Sequence, residues 1–423
     1  MRIIRHTDSD FASAVESLKR KAEPIPQVEQ TVREIIAAVR KDGDQALFTY
    51  TEKFGGPKLS AKHLRVTGKP KVSATVKEAI ATSHANVFDF ARRSLRKDWS
   101  SRNAQGARVG ERYDAFQRVG IYVPGGTAPL VSSAVMTCTL AQAAGVPEIV
   151  VTTPADKSGK VNPELHYALS YCGATEIYPV GGAQAIAALA YGTKSIAPVQ
   201  KIFGPGNSYV VEAKRQVVGQ VAIDLLPGPS EILVLADRTA NPAWIASDLL
   251  AQAEHGHGSS VGFVTNSAKV LAAVEKEIAR QLQTLSRADY LAEVLAQSTY
   301  LILAKTIKDC VAIANEFAPE HLSIVAKDDE KLAAQIKTSG AIFLGGYSPV
   351  AAGDFVAGPS HTLPTGGGGK SFPGLMADMF QRRTSLVRLD AKSLKKSLPI
   401  IQTFSAIEGL DAHGRSAEIR FEK

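Results

Sequence analysis

The clearest indication of the architecture is a short apolar run that passes directly into a proline and two glycines, Val119-Gly120-Ile121-Tyr122-Val123-Pro124-Gly125-Gly126. An apolar run that does not alternate with polar residues is typical of a β-strand buried on both faces. Similar runs follow it at 149–152, 176–180, 221–224 and 232–236. The segments between them, such as 132–144 and 209–218, are long enough for crossover helices. The pattern therefore predicts βαβ units and a mainly parallel sheet.

The same alternation of strand and helix continues toward the carboxyl terminus. We predict further strands at 261–265, 300–303, 322–325 and 341–344. Helices are predicted near 267–282, 306–316, 328–338 and 392–404. The residues before 119 instead have apolar side chains at helical spacing, from Val28 through Val39 and from Thr75 toward Arg93. The sequence thus predicts an α/β protein with a helical amino-terminal part.

Composition and charge exclude several classes of protein. With 45% apolar and 21% charged residues, the 423-residue chain resembles a folded globular protein and not a disordered or fibrous one. Its three cysteines have no C-x-x-C partner, and neither a signal peptide nor a membrane-spanning apolar segment is found. We expect a cytoplasmic protein that binds no membrane.

The net charge of +8 does not by itself indicate a nucleic-acid-binding protein, because the basic residues are scattered. The exception is a small group, Arg92, Arg93, Arg96, Lys97 and Arg102. We interpret this group as a solvated helix face, with an anion-binding surface as the alternative. No nucleic-acid partner is expected.

Glycine-rich turns follow three of the predicted strands. They contain Pro124-Gly125-Gly126, Gly181-Gly182 and Gly204-Pro205-Gly206-Asn207. Backbone N–H groups in such turns can bind phosphate where a helix follows. In the third turn Tyr209 replaces the last glycine of the dinucleotide fingerprint, so that turn taken alone favours an ordinary tight turn. Ligands of open α/β sheets bind beyond the carboxyl ends of the strands, so the three turns together indicate a binding crevice.

Four polar residues have the chemistry of a metal site. Gln252 and His255 are three residues apart on a predicted helix and share a face. Asp354, which follows a glycine, and His413, near the carboxyl terminus, would complete a nitrogen and oxygen ligand set suited to Zn²⁺. Spacing alone leaves the alternative that these are hydrogen-bonded structural residues.

An acid–base pair is indicated by Glu320 and His321, which stand just before a predicted strand. Histidine titrates nearest neutrality and a carboxylate can assist it. Adjacent residues on an extended chain point in opposite directions, so we expect the two side chains to approach a substrate from different sides. The alternative is an exposed pair in a loop.

Six short motifs occur in order along the chain: GPGNSYV (204–210), GPSEILV (228–234), QAEH (252–255), APEHL (318–322), AGDFVAGPSHTLPTG (352–366) and EGLDAH (408–413). Taken together they resemble the histidinol dehydrogenase family, in a match that extends from about residue 28 to the end of the chain. The resemblance implies a homodimer that uses zinc and NAD, in which each active site takes residues from the carboxyl-terminal tail of the other subunit.

The resemblance also implies a role for each motif residue. The zinc ligands, one ion per subunit, would be Gln252, His255, Asp354 and His413, with His413 supplied by the other subunit. Glu320 and His321 would be the catalytic pair. The substrate would contact Ser230, His361 and Glu408 as well as His321 and the zinc ligands. NAD would contact Tyr122, Gln184 and Asn207.

The implied fold consists of two incomplete Rossmann-like units, one inserted in the other. The first unit would comprise 24–121 and 231–375, and the second 122–230. A helical segment, 1–23, would precede them. A helix and tail at 376–423 would serve dimerisation and complete the active site.

The implied reaction is the oxidation of L-histidinol to L-histidine through L-histidinaldehyde with two NAD, the last steps of histidine biosynthesis. His321 would remove the hydroxyl proton and Glu320 would activate water. A neutral imidazole is required, so we expect activity to rise through the ordinary histidine pKa of about 6.5. The alternative is a paralogue that oxidises another small alcohol, such as a sulfonated diol, with the same cofactors. A non-catalytic metal-binding or assembly module is disfavoured because acid–base, metal and cofactor positions coexist.

Three positions depart from the pattern common in that family. His257 follows Gly256 where Asp-Pro is usual, Ser360 stands where asparagine is usual, and four glycines, 366–369, precede Lys370. None of these departures removes an implied ligand. We expect the glycine loop to affect how the site closes.

Overall fold

The computed structural model describes residues 1–18, 25–125 and 129–422, so Gly126 of the first glycine-rich turn lies outside the described residues. The strands found are β1 (Arg2–Arg5), β2 (Trp99–Arg102), β3 (Arg108–Ala115), β4 (Arg118–Tyr122), β5 (Glu148–Thr152), β6 (Glu176–Tyr178), β7 (Lys201–Phe203), β8 (Ala222–Ile223), β9 (Glu231–Ala236), β10 (Ser260–Thr265), β11 (Thr299–Leu303), β12 (His321–Val325), β13 (Ala341–Leu344) and β14 (Gln381–Arg388). The helices are α1 (Phe11–Glu16), α2 (Pro26–Asp42), α3 (Asp44–Lys53), α4 (Ala74–Ser94), α5 (Val131–Ala143), α6 (Pro163–Tyr171), α7 (Gly182–Tyr191), α8 (Ser208–Gln216), α9 (Pro242–Ala253), α10 (Ala268–Leu282), α11 (Ala288–Ser298), α12 (Ile307–Phe317), α13 (Asp329–Ala333), α14 (Val350–Phe355), α15 (Ala391–Glu408) and α16 (Asp411–Glu418). Within these residues no helix has both the length and the apolar character needed to cross a membrane.

A five-stranded parallel sheet occupies the middle of the chain, with the strand order β6-β5-β4-β7-β8. Helices α2, α3, α7 and α8 cover one face, and α4, α5 and α6 cover the other. Burial on both faces explains why the run around Ile121 contains no polar alternation. The predicted parallel sheet is confirmed. The strand order reverses between β4 and β7, and the carboxyl ends of these two strands therefore form a topological switch point.

A six-stranded parallel sheet follows, with the strand order β1-β11-β10-β9-β12-β13. Helices α9, α10 and α11 pack on one face, and α1, α12 and α13 pack on the other. The helical prediction for the first residues is wrong for Arg2–Arg5, which forms strand β1. Ile4 is buried there and pairs with Ile302, so its apolar side chain completes the edge of this sheet.

The amino-terminal helices α2 to α4 lie on the five-stranded sheet. Val32 and Ile35 of α2 share a core with Ile186 of α7, and Val87 of α4 shares a core with Val135 of α5. This differs from the predicted domain division, which grouped 24–121 with 231–375. The physical reason is that the apolar faces of these helices are buried against helices of the segment 122–230.

A three-stranded antiparallel sheet, β14-β3-β2, joins the carboxyl-terminal part to the segment before β4. Phe380, just before β14, stacks on Phe203 of β7 with ring centroids 3.8 Å apart. Helices α15 and α16 pack against each other beyond β14. The predicted helix at 392–404 is confirmed as part of α15. The antiparallel sheet was not predicted.

Candidate active site

The amino ends of two neighbouring strands bring Ser230 and Glu320 together. Strand β9 begins at Glu231 and β12 begins at His321, and the two strands are paired in parallel with His321 opposite Ile232. Each strand is therefore preceded by a polar residue at the same edge of the six-stranded sheet. The Ser230 hydroxyl donates to Glu320 Oε2 at 2.6 Å, and the Glu231 backbone N–H donates to the same oxygen at 2.8 Å.

Glu320 and His321 form a buried, interacting pair. Their relative exposures are 6% and 3%, so the alternative of an exposed loop pair is wrong. Glu320 Oε2 lies 3.3 Å from His321 Nδ1, and the expectation that the side chains point apart is also wrong. Glu320 precedes the strand instead of belonging to it, so strand alternation does not apply. The turn is made by Ala318, a non-glycine residue with positive φ (49°), at the end of α12.

The hydrogen bonds of His321 specify its tautomer. Its Nδ1 lies 3.0 Å from the carbonyl oxygen of Glu231, and a carbonyl oxygen can only accept a hydrogen bond. Nδ1 must therefore carry a hydrogen. The other nitrogen, Nε2, is directed toward Asp354, at 3.9 Å from Oδ1. This leaves Nε2 as the position where His321 can gain or lose a proton.

The electrostatic environment separates the pKa values of the pair. Burial alone lowers the pKa of His321, but the charges of Glu320 and Asp354 and the hydrogen bond to Glu231 raise it to about 9 for the protein chain by itself. Burial likewise raises the pKa of Glu320, yet His321 and the donors Ser230 and Glu231 bring it below its ordinary value. The pair is thus a carboxylate and an imidazolium near neutral pH, and the expected histidine pKa of about 6.5 is wrong for the chain alone.

Asp354 and His361 extend the cluster toward the five-stranded sheet. His361 Nδ1 lies 3.2 Å from the Asp354 carbonyl oxygen and 3.9 Å from its Oδ1. Its Nε2 is 3.2 Å from the hydroxyl of Ser133, a buried residue of α5. The neighbouring Ser360 donates from its hydroxyl to the Met136 carbonyl, also on α5, at 3.1 Å. The loop that carries His361 is therefore fixed to a helix of the other sheet.

The glycine loop at 366–369 is hydrogen-bonded to residues beside the Glu320–His321 pair. The Gly366 N–H donates to Glu231 Oε1 at 2.9 Å, and the Gly228 N–H donates to the Thr365 hydroxyl. Gly369 lies so close to Thr338 that a Cβ atom would come within 2.0 Å of the Thr338 carbonyl oxygen. A side chain at Gly369 would therefore displace the loop from this edge of the sheet.

A cavity of about 350 Å³ lies at the switch point of the five-stranded sheet. Tyr122, Gln184 and Asn207 all line it, together with Gly182 and Tyr209. The Gly182 N–H donates to the Tyr122 hydroxyl at 3.3 Å. Gln184 is buried, and no partner for its Oε1 is found within the described residues. The cavity thus contains an acceptor that a bound molecule can satisfy, and a position where the sheet topology favours a nucleotide.

Asn207 has a structural role at this cavity as well. Its side-chain oxygen accepts hydrogen bonds from the N–H groups of Tyr209 and Val210, at 3.1 and 3.2 Å, and so caps α8. Its side-chain nitrogen is the donor that remains for a ligand.

Comparison with known proteins gives one consistent family. The family model for histidinol dehydrogenase matches residues 18–421. The chain is 44% identical over 414 residues to the histidinol dehydrogenase of Geobacillus kaustophilus strain HTA426, covering 96% of this chain and 97% of the relative. It is 43% identical to that of Rhodopseudomonas palustris, covering 98% and 97%. The chain belongs to the histidinol dehydrogenase family.

A solved structure of the family supports the same conclusion at the level of the fold. The histidinol dehydrogenase of Elizabethkingia anophelis superposes with a TM-score of 0.93 at 33% identity, covering 99% of this chain and 98% of the other. The two-sheet arrangement described above is therefore the fold of a member of the histidinol dehydrogenase family.

Two of the metal ligands that the histidinol dehydrogenase resemblance implies, Gln252 and Asp354, lie on helices that pack against each other. Gln252 lies in the last turn of α9, and α14, which carries Asp354, packs against α9. Gln252 is 2% exposed, and its side-chain nitrogen has no hydrogen-bond partner within the described residues. A buried amide without partners is costly, and rotation of the amide exchanges its oxygen and nitrogen, so this side chain fits the role of a ligand. His255 follows on the exposed turn after α9.

His413 and Glu408 lie on the two carboxyl-terminal helices and not on the elements that carry Glu320 and His321. His413 lies on α16 and Glu408 at the end of α15, and both are exposed. Across the described residues, no hydrogen bond or ion pair joins either of them to Glu320, His321 or Asp354, and no group of three or more histidine, cysteine, aspartate or glutamate residues is arranged to hold a metal ion. The nitrogen and oxygen donors of the implied set fit zinc, but the described residues of one chain do not assemble the whole set.

His257 does not belong to the cluster. Its ring packs edge-on against Tyr290 of α11, with centroids 5.1 Å apart, and its Nε2 lies 4.0 Å from Glu293. His257, which departs from the common family pattern, therefore makes a contact with a neighbouring helix.

Sequence reasoning missed Ser133, Glu231 and the role of Ser360. Ser133 and His361 are 228 positions apart, and no local pattern connects them. Glu231 lies within the quoted GPSE motif, where a carboxylate at the first position of a fully buried strand was an available signal. Ser360 was noted only as a departure, although a hydroxyl next to His361 can serve as an anchor.

Proposed function

We propose that the protein oxidises L-histidinol to L-histidine through L-histidinaldehyde, with reduction of two NAD⁺. The observation that carries the proposal is the buried Glu320–His321 pair, with Asp354 3.9 Å from the free nitrogen of the histidine. A proton acceptor, a water-activating carboxylate and a polar ligand are thereby held at one place. Membership of the histidinol dehydrogenase family supports the choice of substrate.

In the proposed reaction His321 handles the proton of the alcohol. The Glu231 carbonyl holds Nδ1–H, so the proton leaves the substrate for Nε2. His321 must be neutral for this step, and its raised pKa means that the fraction of active protein increases with pH through the neutral and alkaline range. The imidazolium then formed is stabilised by Glu320 at 3.3 Å. The same nitrogen acts again in the second oxidation.

Glu320 is suited to the hydration of the aldehyde. Its Oε2 accepts hydrogen bonds from Ser230 and Glu231, while no hydrogen bond to Oε1 is found within the described residues. The lowered pKa keeps the carboxylate ionised, and an ionised carboxylate only accepts hydrogen bonds. Oε1 can therefore take a proton from the water that attacks the aldehyde.

Two bound groups complete the proposed chemistry. Gln252, His255 and Asp354, with His413, would hold Zn²⁺, which as a Lewis acid would fix the imidazole and amine of the substrate. Tyr122, Gln184 and Asn207 would hold NAD, which accepts the hydride in each oxidation. Gln184 would accept a hydrogen bond through its buried Oε1, and Asn207 would donate one through its side-chain nitrogen.

We also propose that the active form is a homodimer with shared sites. The tail has apolar side chains in contact with solvent: Ile400, Phe404 and Ile407 of α15 are 47%, 58% and 75% exposed. Exposed apolar residues grouped on one helix are typical of a protein interface. In such a dimer His413 and Glu408, distant from the catalytic pair of their own chain, would serve the site of the neighbouring subunit, where Glu408 would pair with the substrate amine.

A substrate panel with spectroscopic detection of NADH tests this function. We expect turnover with L-histidinol and with L-histidinaldehyde, two NADH formed per histidinol, and little turnover with a sulfonated diol or another small alcohol. Preference for one of the other alcohols would show instead a paralogue with the same cofactors.

Glu320→Gln should slow oxidation of the aldehyde more than oxidation of the alcohol. Equal losses in the two assays would contradict the role given to Glu320.

A further inference from the structure

The turn that carries Asn207 is pressed against the end of strand β4. Gly204 begins this turn with φ of 107°, a conformation that favours glycine. A Cβ atom on Gly204 would lie 2.1 Å from the carbonyl oxygen of Tyr122. The backbone at Gly204 therefore sets the distance between the two cavity residues Tyr122 and Asn207.

Both backbone polar groups of Gly204 are held by one buried ion pair. The Lys214 ammonium donates to the Gly204 carbonyl oxygen at 2.9 Å, and the Gly204 N–H donates to Asp224 Oδ2 at 2.8 Å. Lys214 also donates to Asp224 Oδ1, and both side chains have 0% exposure. Lys214 belongs to α8, the helix that Asn207 caps, and Asp224 directly follows β8. The pair thus connects the turn, the helix behind it and the neighbouring strand.

The stability of the folded chain does not by itself explain a buried ion pair. Removing two charges from water costs about as much as, or more than, their attraction returns, and apolar replacements of both partners are often neutral. A charge-assisted hydrogen bond, in contrast, fixes position well because it is strong and directional. The bonds here end on the backbone N–H and carbonyl groups of a single glycine, Gly204, which packs against Tyr122 of the cavity lining.

We propose that the Lys214–Asp224 pair is a positioning device for the dinucleotide. It holds the Gly204 turn in its binding geometry before the cofactor arrives, so that Asn207 and Tyr122 need no rearrangement. The proposal rests on the proposed function, because it takes the cavity at Tyr122 to be the NAD site. Its consequence is that loss of the pair weakens dinucleotide binding and leaves proton and hydride transfer unchanged.

The test compares two double variants of the full-length enzyme. Lys214→Met with Asp224→Leu removes the pair without leaving one charge buried alone. Arg118→Met with Glu176→Gln is the matched control, because it removes a largely buried ion pair of the same sheet at the opposite, amino edge of β4. For the first variant we expect the Kd of NADH and the KM of NAD⁺ to rise about tenfold or more, the magnitude of one lost hydrogen bond to a charged group.

The KM of histidinol, and kcat at saturating NAD⁺, should match those of the parent enzyme. The control should keep the parental Kd for NADH. Unchanged NADH affinity in the first variant would overturn the proposal, and so would an equal loss in both variants, which would indicate a general effect of stability. A fall in kcat without a change in NADH affinity would also overturn it.

Asn207→Ala separates this proposal from the proposed function. If Asn207→Ala binds NADH as the parent does, the cavity is not the cofactor site and the assignment beneath both proposals fails. If Asn207→Ala binds NADH weakly while the Lys214→Met/Asp224→Leu variant binds it normally, only the positioning role fails.

Hydrogen exchange in the unmodified enzyme tests the same idea without a substitution that could prevent folding. We expect the Gly204 amide to exchange slowly both with and without NAD⁺, because Asp224 accepts its hydrogen bond in the cofactor-free chain. Slow exchange that appears only after NAD⁺ is added would show that the cofactor, and not the ion pair, orders the turn.

Discussion

At the level of single residues, His321 has one nitrogen held by the protein and the other facing the site. Nδ1 is bound to the Glu231 carbonyl, and Nε2 is the proposed proton acceptor. His321→Asn preserves a donor near the Glu231 carbonyl but removes the acceptor. We expect turnover of histidinol to fall by ~10²- to 10⁴-fold with the fold unchanged. The measurement is the initial rate of NADH formation, with His63→Asn, in an exposed turn, as the control. If His321→Asn formed NADH at the rate of the parent enzyme, His321 would be excluded as the base.

A second prediction at this scale concerns the charge on His321. Its pKa of about 9 in the chain alone is raised chiefly by Glu320, against the effect of burial. In protein stripped of metal with a chelator, we expect an NMR titration of labelled histidines to show one ring with this high value. Glu320→Gln should lower that value, because a neutral amide no longer stabilises the imidazolium. His166 of α6 is the internal reference, since burial alone lowers its pKa. A titration unaffected by Glu320→Gln would show that the carboxylate does not control the base.

At the level of elements, strand β4 is tied to its neighbours through Arg118. The guanidinium donates to Glu176 of β6 at 2.9 Å and to Glu148 of β5 at 2.6 Å. The Arg118 hydrogen bond lowers the pKa of Glu176 to about 2. A carboxyl whose pKa is lowered by folding stabilises the protein above its unfolded pKa, and this contribution is lost as the pH falls through about 2.

Glu176→Gln should therefore lower Tm at pH 7 and change it little near pH 2, because the parent has by then lost the same ionised group. Thermal unfolding followed by circular dichroism between pH 2 and 7 measures this difference. Glu148→Gln is the matched control, since Glu148 bonds to the same arginine but its side chain is 53% exposed, where solvent weakens an ion pair. A Tm difference for Glu176→Gln that does not depend on pH would contradict the ionic origin of the effect.

A comparison of the strands shows which elements of the fold the sequence patterns could predict. Strands such as β4, β9 and β10 were predicted because their buried positions, apart from Glu231 at the start of β9, are apolar or small, which follows from helices on both faces. Strands β1, β3 and β14 were missed because they are rich in arginine and have at most one buried residue each, so their pairing depends on a distant strand and not on local burial. The motifs predicted that Ser230, Glu320 and His321 would share a site, and these three side chains do lie together, whereas the contact of Ser133 with His361 exists only after two sheets have packed.

At the level of the whole molecule, the proposed shared sites give the carboxyl-terminal tail a role in the activity of the neighbouring subunit. Under the shared-site proposal, a mixture of His413→Ala and His321→Ala chains should regain activity after subunit exchange. The mixed dimer has one site with both defects and one site with neither. Native mass spectrometry shows whether mixed dimers form, and the NADH assay shows their activity. Mixed dimers without activity would mean that His413 acts within its own chain.

The two edges of the six-stranded sheet differ in the residues that they present. The amino edge holds Ser230, Glu320 and His321, whereas the opposite edge consists of loops such as the one at Lys305, between β11 and α12. Lys305 is exposed, and Thr306 after it caps α12. A binding tag inserted after Lys305, with Thr306 retained, would project into solvent away from the proposed chemistry. This loop therefore offers an internal anchorage for immobilising the enzyme on a solid support, in place of a carboxyl-terminal tag that would hinder the neighbouring subunit of the proposed dimer.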